Sequence, residues 1–331
     1  MDNIFARAAY LHMLQIIRKR PLDINIETIS MCPMKCVFCC NRLYKRDYTV
    51  MDNNLFGRII EQYCDMGGGT IGIGSMQSDF LSDPLLMERL KKIDSSKKKL
   101  WVHSSTPLIS AKKYNDKELL WILKCFDYMG VSAMGYDRDS YLKMAGIDGF
   151  DIFKEQLERL KRLIVDNALK LRVDIAFRIN DKRTLMRSAF YKEAKNMFPI
   201  VDIKDSFFSW FGSVKPEDLP NGAKLILCDN SKMQDNCVVP NATLAIQANG
   251  KVVGCGCIDW LEKYVIGDVN RNTLTEIWLS TKAKKFRNAF RRRKIPTICK
   301  DCGLYVSLRE AVGKKELLRY RSIDGVYYYI K

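Results

Sequence analysis

Asp23-Ile-Asn-Ile-Glu-Thr-Ile-Ser-Met-Cys32-Pro-Met-Lys-Cys36-Val-Phe-Cys39 joins a strand signal to three closely spaced cysteines. Its first seven residues alternate apolar and polar, the period of a half-buried strand. The pattern then repeats down the chain. Strands are expected over 70–74, 99–103, 128–133, 169–177 and 200–203. Helices are expected over 55–65, 84–92, 116–125, 150–167 and 185–196. Six strand–helix alternations predict an α/β fold with a parallel sheet and helices outside. Right-handed crossovers curl such a sheet into a partial (β/α)6 TIM barrel. Chemistry in these barrels sits at the C-terminal ends of strands, which is where Cys32 falls.

The flanks divide the chain into three parts. Residues 1–21 read as an N-terminal amphipathic helix, because Asp2 and the lack of a small-residue cleavage site argue against a signal peptide. Residues 22–215 carry the barrel pattern. Pro216, Pro220 and Gly222 mark a linker. Residues 216–331 read as a smaller α+β domain: a β-hairpin (243–247 and 251–254, turning at Ala248-Asn249-Gly250), a helix from 273 to about 293, and Cys299-Lys-Asp-Cys302. No apolar run approaches the roughly 18 residues of a membrane span. A cytoplasmic protein is expected.

Twelve cysteines against two histidines favour metal ligation over disulfides in a reducing compartment. Cys32, Cys36 and Cys39 can hold three irons of a 4Fe–4S cube and leave the fourth iron without a protein ligand. Four-coordinate zinc is the alternative, with adjacent Cys40 as fourth ligand. Cys237, Cys255, Cys299 and Cys302 supply a second four-sulfur set. Spacing alone does not separate a fully ligated 4Fe–4S cluster from zinc there. Cys228 competes with Cys237 for the first place in that set. Cys64 and Cys125 lie in apolar helical sequence and read as small core residues.

The first motif, with Phe38 before its third cysteine, resembles the radical S-adenosylmethionine (SAM) superfamily. Gly267-Asp-Val-Asn-Arg-Asn-Thr-Leu274-Thr-Glu276-Ile277-Trp278 between the later cysteines resembles the SPASM and twitch extensions of that superfamily. No cysteine follows Cys302, which matches the shorter twitch form with one auxiliary 4Fe–4S cluster. The resemblance implies that the open iron chelates SAM and that reduction releases a 5′-deoxyadenosyl radical. It places SAM contacts at Phe38, Gly74, Ser78 and Asp79, the last where relatives carry a glutamate. Asp79 also suits a helix N-terminus. The resemblance further points to Ser132 and to Arg178, which could pair with the SAM carboxylate or form a rim salt bridge. Ser104, Asp205 and Trp210 are substrate candidates, with interdomain packing the other role for the aromatics. His103 and Arg178 are candidates for taking a hydroxyl proton; a hydrogen-bonded strand histidine is the plainer reading.

Twitch-bearing relatives include an aminocyclitol dehydrogenase. The resemblance therefore implies oxidation of an alcohol on a sugar, aminocyclitol or nucleotide-linked sugar, with an electron passing to the auxiliary cluster. Alternatives are an epimerase using Cys257 as hydrogen donor, a maturase of ribosomal peptides, and a zinc-binding interaction module without catalysis. The net charge of +17 suits either plain solubility or an acidic electron donor such as flavodoxin or ferredoxin. The run Lys282-Ala-Lys-Lys-Phe-Arg-Asn-Ala-Phe-Arg-Arg-Arg-Lys294 is dense in cations. It lacks an accompanying nucleic-acid motif, so nucleic acid is not the expected partner. Cys32→Ala is expected to abolish SAM cleavage; 5′-deoxyadenosine formation by that variant would refute the assignment of the first motif.

Overall fold

The computed structural model describes residues 11–12, 14–43, 46–74, 78–210, 212–226, 231, 233, 235–256, 259–300 and 302–308, with the backbone of 320–323 and 326–329. Six parallel strands follow one another in space as in sequence: β1 (Asp23–Ile26), β2 (Gly69–Ile73), β3 (Leu100–Thr106), β4 (Tyr128–Ala133), β5 (Arg172–Arg178) and β6 (Ile200–Lys204). β7 (Ser206–Phe207) and β8 (Lys224–Leu225) form a small separate pair. β9 (Thr243–Ile246) then returns to pair in parallel with β1, and β10 (Lys251–Val253) and β11 (Val265–Asp268) extend that edge antiparallel. A last hairpin pairs β12 (Tyr320–Ile323) with β13 (Val326–Tyr329). The β9–β10 hairpin with β11 thus continues the barrel sheet, which reaches nine strands among the described residues, while β12 and β13 form a sheet of their own.

Helices cover the outer face. α1 (residues 14–19) precedes β1. α2 (Asn53–Asp65), α3 (Leu86–Asp94) and α4 (Asp116–Lys124) fill the early crossovers. α5 (Arg138–Ala145) and α6 (Phe150–Asp166) follow β4; α7 (Lys182–Arg187) and α8 (Ala189–Met197) follow β5. α9 (Val238–Ala242), α10 (Leu274–Leu279) and α11 (Thr281–Arg287) belong to the C-terminal part. α6 buries Phe153, Leu157, Leu160 and Leu163, one stripe at helical spacing. Each such side chain contributes about 1.5–3 kcal/mol by leaving water.

Several elements differ from the sequence expectation, and caps explain three of them. The expected helix over 273–293 breaks at Ser280, whose hydroxyl accepts the Ala283 N–H (3.0 Å) and starts a new helix. The helix over 185–196 divides in the same way at Ser188. α5 was not expected; a reciprocal capping box between Asp137 and Ser140 starts it. β1 ends at Ile26 rather than at 29. Glu27, fully buried, there turns its carboxylate to Arg46 (2.6 and 2.9 Å) and to the Ala248 N–H (3.2 Å). Arg46 also donates to the Gln247 side chain (3.1 Å). One buried ion pair thus ties the segment after the first cysteines to the β9–β10 turn.

A second buried pair sits below the barrel loops. Arg89 and Asp83 are both fully enclosed, 2.8 Å apart, and Arg89 also donates to the Met51 carbonyl. Removing one partner strands the other charge in apolar surroundings. Asp83→Ala is expected to cost about 3–5 kcal/mol, read as a lower urea midpoint. A loss under about 1 kcal/mol, the worth of a surface pair, would contradict the burial assigned to it.

Candidate active site

The loop bearing Cys32, Cys36 and Cys39 is fixed mainly through its backbone. The Lys35 N–H donates to the Ala145 carbonyl (3.0 Å) and the Val37 N–H to the Met144 carbonyl (3.1 Å), so the C-terminus of α5 holds the loop. Gly146 caps that helix in the left-handed region (φ 67°); a Cβ there would stand 2.3 Å from the Lys35 carbonyl oxygen. From the other side, the Trp210 indole N–H donates to the Phe38 carbonyl (2.9 Å), and Phe207 stacks on Phe38 with ring centroids 4.4 Å apart. The Asp79 N–H reaches the Met31 carbonyl (3.1 Å).

The three thiols influence one another's titration. Burial pushes the Cys32 thiol up to about 12, and the Asp79 carboxylate adds to the rise. Burial raises Cys36 well above the ordinary thiol value, with Cys39 and Cys32 adding and Arg178 opposing. The Cys40 thiol donates to Cys39 and holds it low. Cys40 itself is buried in the protein interior. Among the described residues no three His, Cys, Asp or Glu side chains converge closely enough for a single metal ion. A cube needs a wider array, because each sulfur caps a different iron. Three soft thiolate donors on one loop fit such a cluster. Among the described residues two buried hydroxyls, on Ser78 and on Tyr141 near Cys36 and Cys32, have no hydrogen-bond partner. Unmet polar groups at that point suit a polar ligand.

The strand register sorts the expected site residues by depth. Asn25, Gly72, His103, Tyr128 and Arg172 share one level. Ser105, Gly130 and Asp174 lie two residues higher. Ser132, Ala176 and Asp202 lie two higher again, and Arg178 and Lys204 stand at the rim. His103 is therefore on the barrel floor, its Nε2 3.5 Å from Asp23. At about 3.3 Å per residue it is about 13 Å below Ser132. Arg178, by contrast, is close enough to Cys36 and Asp202 to feel both charges, although burial lowers its pKa. The two candidate proton acceptors do not meet.

Ser104, expected as a substrate contact, does not face the barrel interior. It is buried on the outer face of β3 and donates to the Ile73 carbonyl (2.5 Å), whereas exposed Ser105 faces inward. Strand parity with His103 carries that distinction in the sequence itself. Asp79 is fully buried and accepts from Thr106 (2.9 Å) and Ser110 (2.6 Å). Burial raises its pKa, and those two hydroxyls oppose the rise. Thr106, Ser110 and Tyr141 are site neighbours that sequence reasoning missed; only the folded crossovers bring them there. Gly74 adopts φ 62° with Phe80 pressed against it. Asp205 pairs with Lys182 (3.1 Å) and accepts from Ser206 (3.0 Å). Trp210 uses its indole N–H on the cysteine loop.

The second cysteine set also converges. Cys237, Cys255 and Cys299 are buried together with Phe286, Phe290 and Ile298, and Cys302 packs against them. Burial pushes Cys237 up to about 12, with Cys255 adding. Burial raises Cys299, and Cys255, Cys302 and Cys237 all add to that rise. Cys228 and Cys257 lie outside the described residues. Cys64 and Cys125 are buried in the core, as expected of small apolar side chains.

Residues 26–183 match the model of the radical SAM superfamily, and residues 237–303 match that of an iron–sulfur cluster-binding domain, SPASM. The chain is a radical SAM protein with a SPASM domain. Its cofactors follow: a 4Fe–4S cluster with SAM, and auxiliary iron–sulfur coordination in the SPASM part. No curated protein matches by sequence. Solved structures with the same fold include BtrN in complex with AdoMet and 2-DOIA (18% identity, TM-score 0.59, covering 87% of this chain and 95% of that one). Streptococcus suis SuiB bound to precursor peptide SuiA shares 14% identity at TM-score 0.60, over 97% of this chain and 78% of that one. anSMEcpe with AdoMet and the Cp18Cys peptide shares 13% identity at TM-score 0.56, over 93% of each chain. Among the described residues no helix is long and apolar enough to cross a membrane. Cys302→Ala is expected to lower bound iron by one cluster's worth while SAM cleavage persists; unchanged iron would remove the C-terminal site.

Proposed function

We propose that this radical SAM enzyme oxidises an alcohol on a sugar, an aminocyclitol or a nucleotide-linked sugar. The observation that carries the reading is the polar lining below the cysteine loop. Ser105, Ser132, Asp202 and Arg178 share the inward face of β3 to β6. A wall of hydroxyl, carboxylate and guanidinium groups suits a small polyhydroxylated molecule. The likeness to BtrN, solved with AdoMet and 2-DOIA, supports a small-molecule substrate.

Cys32, Cys36 and Cys39 are proposed to hold the catalytic cluster, and Cys237, Cys255, Cys299 and Cys302 the auxiliary one. When bound, the first cluster and SAM supply hydrogen-atom abstraction from carbon. The chain's own side chains then do the rest. Arg178, at the rim beside Cys36, offers a guanidinium to a carboxylate such as that of SAM. The Ser78 hydroxyl, without a partner among the described residues, offers a further contact. Asp202, level with Ser132 and near Arg178, is the carboxylate placed to take the carbinol proton at its Oδ atoms. His103, on the floor with Asp23, positions the lining rather than reaching the reacting carbon. The reaction needs an electron donor; the excess of cations fits an acidic one.

SuiB and anSMEcpe, both solved with peptides at similar TM-scores, keep peptide modification as the second reading. Turnover in deuterated water separates the reactions. A dehydrogenation product is expected to carry no deuterium at the reacting carbon. Deuterium incorporated there would replace this reading with epimerisation, and turnover of peptides alone would replace it with peptide modification.

A further inference from the structure

The segment from Glu276 to Asp301 holds nine cations and no acid between its ends. Its structure divides those residues sharply. Phe286 and Phe290 point inward and pack on Cys237, Cys255 and Cys299. Lys284, Lys285, Arg291, Arg292, Arg293 and Lys294 are exposed on the outside of the same segment. Arg287 alone turns in, lying 4.1 Å over the Trp278 ring and donating to the Trp278 carbonyl (2.7 Å). Among the described residues none of the exposed cations makes an ion pair. So many like charges on one short segment repel one another. An acidic partner relieves that repulsion and is steered to it over the Debye length.

We propose that this basic face is the docking surface of an acidic one-electron carrier protein, which exchanges electrons with the protein through the auxiliary cysteine site. Phe286 and Phe290 of the same segment pack directly against the cysteines. That is a short path for an electron, whose transfer weakens steeply with distance. The step is balanced: one electron crosses between the auxiliary site and the carrier, one being oxidised as the other is reduced, in the direction their potentials set, and no bond is made or broken. Phe286 and Phe290 are buried with the cysteines and Trp278 in the main core, so the segment's aromatics offer no stacking platform for single-stranded nucleic acid. The inference rests on the auxiliary cluster assigned under the proposed function.

The test uses the holoenzyme with flavodoxin hydroquinone as the carrier. The rate of auxiliary-cluster reduction is followed by electron paramagnetic resonance across ionic strength. Wild type is expected to slow steeply with salt. The variant Lys284→Glu/Lys285→Glu/Arg291→Glu/Arg292→Glu is expected to slow by about tenfold or more at low salt and to lose the salt dependence. Reduction by dithionite, which needs no docking, is expected to stay unchanged in that variant and in the milder Lys284→Gln/Arg292→Gln. Flavodoxin rates equal to wild type would overturn the docking surface. So would loss of poly(U) binding with flavodoxin exchange retained, which would assign the face to nucleic acid. A wild-type iron count of one cluster would instead remove the auxiliary site itself, and this inference with it.

Discussion

The loop proposed to present three sulfurs satisfies only part of its own backbone, and the rest of the site is arranged around that constraint. Its amides are answered by the C-terminal carbonyls of α5, through Lys35 and Val37. Helix C-termini carry unpaired carbonyls, so the two shortages cancel. Gly146 lets the helix end within touching distance of Lys35, which any larger residue would block. Trp210 and Phe207 close the opposite side of the loop. The three cysteine side chains do not carry that backbone load and lie near enough to influence one another's titration.

The second organising feature is the Glu27–Arg46 pair. It links the end of β1, the segment after the first cysteines and the β9–β10 turn. Because β9 pairs in parallel with β1, the SPASM hairpin is an added part of the barrel sheet. The first cysteine loop, after β1, and Cys255, after β10, consequently flank one continuous hydrogen-bonded sheet. A buried ion pair adds little net stability compared with apolar packing, but breaking it leaves a stranded charge. Its value here is registry: it fixes how the loop and the hairpin meet.

Depth within the barrel also assigns roles. Parallel strands stack their inward side chains in levels, so register alone places His103 on the floor and Arg178 at the rim. The same reasoning moves Ser104 out of the pocket and brings Ser105 in. Burial raises most of the cysteine thiols, so ligation of iron must displace protons.

The sequence by itself determined the parallel α/β class and the two cysteine sets, and the resemblance of its motifs to the radical SAM and SPASM families pointed to the cluster chemistry. Those features are local: alternation of period two marks a strand, and three cysteines within one loop need no distant partner to be recognised. It did not determine the breaks at Ser188 and Ser280, because a capping hydroxyl competes with helix continuation only when packing lets the chain turn. Nor did it give the levels of the lining or the answer to the loop's amides. Those depend on which strands lie side by side and where α5 ends, and that is settled by burial of apolar faces over the whole sheet.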